Sequence, residues 1–121
     1  MRRVTLQWVG GENEFALPIG ALRAVQQHCD AGPQEVLDRL VSGKWRVDDL
    51  FEVIRQGLIG AGMSAKDASQ IVAKAWDQNP VGALRITAQS ILIAALVGVE
   101  DDPVGEQEGV ETPAPENGGS A

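Results

Sequence analysis

The sequence predicts an α+β protein, mostly α: an N-terminal β-hairpin packed on a bundle of about five helices, followed by a disordered acidic C-terminal tail. Three observations lead there. Apolar residues alternate before Ile19 around a glycine pair, recur at three- and four-residue steps up to Gly98, and nearly vanish afterwards. Alternation is the period of a half-buried strand, whereas the longer step is that of an amphipathic helix. The expected boundaries are one globular domain over 1–100, with the hairpin in 3–18 and the helices within 19–98. The tail is expected over 101–121.

The hairpin comes from "RVTLQWV" (Arg3–Val9), with Val4, Leu6 and Trp8 on one side and Thr5 and Gln7 on the other. "GGEN" (Gly10–Asn13) is the expected turn, and "EFAL" resumes the alternation through Phe15 and Leu17. A lone two-stranded hairpin is marginal in water, so its apolar face must lie on helices or pair with another chain. Leu22, Val25 and Cys29 then mark a first helix ending near Asp30–Gly32. Pro33 suits a first helical position, Glu35 suits the positive end of the helix dipole, and Gly43 suits a left-handed stop. Between them Val36, Leu37, Leu40 and Val41 line a second helix. Asp48 and Asp49 open a third, whose stripe is Leu50, Ile54 and Leu58 with Phe51 beside it. Ala68, Ile71, Val72, Ala75 and Trp76 mark a fourth. Asn79–Pro80 ends that one and starts a fifth, "PVGALRITAQSILIAALVG", apolar nearly all round in its last half and so expected at the centre of the core.

Composition narrows the function. With 121 residues, 44% of them apolar, the chain has material for one domain and one core. All 10 Lys and Arg but only part of the 17 Asp and Glu precede Gly98, so the acids from Glu100 to Glu116 carry the whole net charge of −7. A neutral body with an acidic tail lacks the cationic field that nucleic acids require. Cys29 is the sole cysteine, which excludes an internal disulfide. No basic-then-apolar leader opens the chain, and the longest apolar run, Ile91–Val99, is half of the ~20 residues of a membrane span. The expectation is a cytoplasmic protein that binds neither nucleic acid nor membrane.

The stretch "EVIRQGLIGAGMSAKDA" (Glu52–Ala68) invites a phosphate-loop reading, because Gly57, Gly60 and Gly62 crowd together before Ser64 and Lys66. The glycine order is G-x-x-G-x-G, the reverse of a dinucleotide fingerprint. It follows a helix instead of a strand, and no lysine directly succeeds the last glycine, as a P-loop needs. A helix–helix joint accounts for more. Gly60 or Gly62 would end the third helix in the left-handed conformation, and Ser64 with Asp67 would cap the fourth. Gly57, costly inside a helix, would permit a close approach.

Other chemistry-bearing residues read as structural. His28 and Cys29 diverge by about 100° on a helix, and no second Cys or His completes a metal site. Cys29 is expected in the core and His28 on the surface. Asp48 and Asp49 fit a helix start for dipole reasons alone, and Glu52 can pair with Arg55 on an exposed face. No catalytic residue, cofactor or metal is expected. Trp45 and Arg46 stand apart as candidate partner-binding residues: a large aromatic in a short connection either plugs the core or marks a contact surface. Trp76 is expected in the core.

The run "LVSGKWRVDDLFEVIRQGLIGAGMSAKDASQIV" (Leu40–Val72) resembles the small tail-region protein of gene transfer agents and related tailed phages. "GALRAVQ" (Gly20–Gln26), "GPQEVLDRL" (Gly32–Leu40) and "SILIAALVGVED" (Ser90–Asp101) support the likeness, which covers roughly Val4 to Asp101. That family is described as tail assembly chaperones and also filed under tail tube proteins. The resemblance implies a chaperone that binds the tape measure protein and helps recruit tail tube protein, with self-association in addition. A structural tail subunit is the alternative, although tube proteins need more strand than one hairpin provides. A small nucleotide-binding regulator is a third reading, against which the glycine order argues.

Overall fold

The computed structural model describes residues 3–98. Two antiparallel strands, β1 (Val4–Trp8) and β2 (Gly11–Phe15), precede the helices α1 (Ile19–Cys29), α2 (Pro33–Ser42), α3 (Val47–Gly60), α4 (Ala65–Gln78) and α5 (Arg85–Leu96). The expected architecture is therefore present. The tail expected over 101–121 lies outside the described residues.

The hairpin is tighter than its glycines suggested. Trp8 pairs with Gly11 and Leu6 with Asn13, so the turn is the two residues Val9–Gly10 and the second strand begins at Gly11. "GGEN" is mostly strand. Pairing decides the difference: opposite Leu6, Asn13 lies on the same face as Trp8 and its Oδ1 accepts from the indole Nε1 at 2.8 Å. Phe15 is fully buried and meets Trp8 edge-on, with ring centroids 5.8 Å apart. The apolar face of the hairpin lies on α3 and α5, which supplies the support a lone hairpin lacks.

Local signals place the helix ends well. Pro33 starts α2 and Gly43 ends it with φ 82°. Ser64 Oγ accepts the Asp67 N–H at 3.1 Å at the start of α4. The fifth helix differs from expectation at its start. Pro80 leads first into a 3-10 turn, Val81–Leu84, closed by the Ala83 N–H to the Pro80 carbonyl at 2.9 Å. Gly82 disfavours a full α-turn there, and the tighter winding drives Leu84 into the core.

The centre of the bundle is α3, not α5. It packs against α1, α4, α5 and β2, and it buries Leu50, Val53, Ile54 and Leu58. The expectation for α5 is corrected: Ala88, Ile91 and Leu92 are buried, but Ile86 is 65% and Val97 75% exposed. Its neighbours, α2, α3 and β1, leave one side uncovered. An apolar circumference needs cover on all sides, and only α3 receives it.

Candidate functional site

The glycine stretch carries α3 into α4. Gly57 lies where Phe15 and Ile91 converge, and a Cβ there would sit 3.0 Å from the Phe15 ring. Its carbonyl accepts the Ala16 N–H at 3.0 Å, stitching the end of the hairpin to the helix. Gly60 has no room for a Cβ beside the Ala16 carbonyl, whereas Gly62 faces open space and is needed for its φ of 115°. The two glycines serve one joint by different means, close approach at Gly60 and backbone conformation at Gly62. Arg3 adds a further tie, its Nη1 reaching the Ala61 carbonyl at 2.7 Å and Glu14 Oε1 at 3.1 Å.

The acids singled out by sequence separate. Asp49 is the correction: it stands in the first turn of α3, as expected, but is 0% exposed. The fork of Arg39 reaches it from α2, Nε to Oδ2 at 2.9 Å and Nη2 to Oδ1 at 2.7 Å. The Arg46 N–H donates to Oδ2 at 2.8 Å, and Arg39 Nη2 donates also to the Cys29 carbonyl at 3.2 Å. One buried ion pair thus fastens the end of α1, the middle of α2 and the start of α3. The hydrogen bonds with Asp49 hold the Arg39 guanidinium above its ordinary pKa. No sequence pattern singled out Arg39, because its partner lies ten residues away on another helix. Glu52 and Arg55 do pair at 3.1 Å, yet in a half-buried seam where Arg55 Nε also donates to Ser69 Oγ of α4 at 2.8 Å. Among the described residues no three His, Cys, Asp or Glu are grouped to hold a metal ion.

Cys29 is buried as expected, its Sγ donating weakly to the Asp48 carbonyl at 3.6 Å, while His28 is exposed. Burial first, and then the Asp49 charge, pushes the Cys29 thiol up from 9.0 to about 12. The folded state therefore holds a proton that the unfolded chain releases. This contribution to stability is complete below pH 9.0 and lost as pH rises toward about 12. Urea midpoints are expected to fall between pH 8 and pH 10, and to fall less in Cys29→Ala. The native thiol is expected to resist alkylation at pH 8 until denaturant is added. Rapid alkylation of the native protein would show that the site opens.

Trp45 meets both readings halfway. It packs against the core, but part of it stays accessible in the connection between α2 and α3. Arg46 is exposed and caps α3 through its backbone. On either side of the pair, Val41 and Val47 are each more than half exposed. Trp76 is not the core residue expected. It lies half-buried at the margin of α4, edge-on to Phe51 with centroids 6.2 Å apart. With Ala73 and Asp77 these rings line a surface cleft of about 160 Å³ between α3 and α4. The helical step from Ala73 to Trp76 was the only sequence signal for it, and the same step also suits a core stripe.

The arrangement is one of packed helices with apolar surface left over. Against known families, the model described as "Phage tail tube protein, GTA-gp10" matches residues 2–98. The chain belongs to this family. Membership makes it a tail protein of the phage and gene transfer agent type. The match ends where the helical body ends, so the acidic segment falls outside it. No curated protein and no solved structure matches the chain. Among the described residues, no helix of this tail protein is long and apolar enough to cross a membrane.

Proposed function

We propose that this tail protein is a cytoplasmic assembly chaperone, which binds helical segments of the tape measure protein and helps bring tail tube subunits to it. The observation that carries the reading is the surface around the connection between α2 and α3. Val41, half-buried Trp45 and Val47 present apolar area there beside the cations Lys44 and Arg46. An aromatic anchor ringed by aliphatic and cationic groups suits the apolar face of an amphipathic helix. No catalytic group or cofactor is required for such work.

A structural subunit of the tail tube is the second reading, favoured by the family's own description. The scarcity of strand weighs against it, since a continuous tube wall draws on larger sheets than a single hairpin.

Co-expression with a tape measure protein separates the two. The chaperone is expected to co-purify with that protein and raise its soluble yield. Association should weaken only modestly between low and physiological salt, because apolar contacts are not screened. Trp45→Ala is expected to lower co-purification about tenfold, as anchor truncations do, while the variant keeps a cooperative melting transition. A folded wild-type protein that ignores the tape measure protein and appears stoichiometrically in finished tails would establish the structural reading instead.

A further inference from the structure

Between α2 and α3 the chain presents Lys44, Trp45 and Arg46, a half-buried indole flanked by two exposed cations. Neither cation forms an ion pair among the described residues. Val41 and Val47 extend the apolar area on either side, 59% and 57% exposed. Arg85 brings a third positive charge to the same end of α2, where its Nη1 donates to the Leu40 carbonyl at 3.3 Å. Asp48, exposed in the same stretch, offsets one of the three, while Asp49 is already engaged by Arg39. The surface is therefore apolar at its centre and positive at its margin.

Residues 99–121 follow the described body, and their sequence has the opposite character. The acids from Glu100 to Glu116 lie there, and none of the chain's 10 Lys and Arg does. Within that stretch "ETPAPE" (Glu111–Glu116) sets Pro113 and Pro115 between two acids. We propose that this segment docks on the Trp45 surface of its own chain, with the prolines against the indole and Glu111 and Glu116 beside Lys44 and Arg46. Proline-containing segments suit aromatic surfaces, and a proline, its φ already fixed, loses less entropy on ordering than other residues. Reach is sufficient. Arg85 stands against the end of α2, and Gly98 lies roughly 20 Å further along α5 at 1.5 Å per residue. From Gly98 to Glu111 an extended chain spans up to about 43 Å. Tethering keeps the segment at an effective concentration on the order of millimolar, so weak contacts are enough. Docking covers the surface that the chaperone reading gives to the client. That consequence rests on the reading, whereas the docking itself does not.

NMR on the full chain tests it, with a nitroxide attached at Gly118→Cys in a Cys29→Ala background. The Trp45 indole N–H signal is expected to lose about half its intensity or more to the label. Trp8 is the internal reference: it meets Phe15 beside Gly57, roughly 15 Å along α3 from Val47, and should lose far less. Raising the salt to about 1 M, where the screening length falls to about 3 Å, should restore most of the Trp45 signal. Glu111→Lys with Glu116→Lys should abolish the loss, as should Lys44→Glu with Arg46→Glu, and the four changes together should bring it back. The first pair leaves the described body untouched, so a folding defect in the second cannot decide the result. An unaffected Trp45 signal overturns the proposal, as does equal loss at Trp8 or a loss that survives either charge reversal. Loss seen when label and isotope sit on different molecules overturns it too, because the segment then docks on another copy. With docking established, Glu111→Lys with Glu116→Lys should raise tape measure co-purification above wild type. An unchanged yield would leave the docking standing and remove the client from the Trp45 surface.

Discussion

Asp49→Ala is expected to lower the unfolding free energy by about 3 kcal/mol, near the lower end of the range for breaking a buried ion pair. The carboxylate is 0% exposed and accepts from Arg39 twice and from the Arg46 backbone once. Removing it leaves a guanidinium whose side chain is only 12% exposed with the Cys29 carbonyl and the exposed Glu35 carboxylate, 3.5 Å away, as its remaining partners. That residual access to water keeps the loss at the lower end, because a fully sealed cation would cost more. Against a domain stability of roughly 5–15 kcal/mol the loss is large. Asp49→Asn should fall between, since its carbonyl oxygen can still accept from the Arg46 N–H while the charge attraction is gone. Combining Arg39→Met with Asp49→Leu should recover most of the loss, as apolar replacement of a buried pair often does. Urea denaturation of the four proteins checks the series. A loss below about 1 kcal/mol for Asp49→Ala would mean that water or a rotamer change satisfies Arg39.

Gly60→Val carries the second large effect, about 3 kcal/mol, toward the upper end of what overpacking costs. The new Cβ meets the Ala16 carbonyl oxygen and lies 2.7 Å from Pro18 Cδ. Neither is the free end of a flexible side chain, so the end of the hairpin must lift from α3. The hydrogen bond from the Ala16 N–H to Gly57, 3.0 Å, is lost with it. Gly62→Ala offers the contrast. Nothing lies within 4 Å of its Cβ, and its cost of about 1–2 kcal/mol comes from backbone strain at positive φ. The mechanisms are separable by NMR, because only the Gly60 variant should move the Trp8 indole N–H resonance, which reports the hairpin through Asn13. Equal shifts in both variants would show that the joint and the hairpin respond as one unit.

The structure divides the apolar surface into parts with different work. The hairpin face and the stripe of α3 are consumed by the core. The connection around Trp45, the cleft beside Trp76 and the uncovered side of α5 are left over. A tail protein that assembles with other proteins has such surfaces available in more than one place.

How much of this was legible in the chain alone depends on the range of the interaction involved. The order of elements, one hairpin and then helices, followed from periodicity, because alternation and the 3.6-residue step are properties of neighbouring residues. Helix ends followed for the same reason: Pro33, Gly43 and Ser64 act on backbone groups a few positions away. The glycine stretch was recognisable as a joint from its order and context. The sequence alone could not say which glycine was needed for space and which for conformation, since Gly60 is constrained by Ala16, far away along the chain. The hairpin turn was misplaced because strand register is decided by cross-strand partners, here Asn13 with Leu6 and Trp8. The same limit explains Asp49, whose dipole argument holds but whose burial depends on Arg39 of another helix. It also explains α5 and Trp76, for which hydrophobicity announced a contact without naming the partner. By itself the sequence determined which local segments form helix or strand and where they stop. Only the tertiary structure decided which helix sits at the centre and which apolar sides remain open, because those outcomes depend on elements distant in the chain competing for the same limited surface.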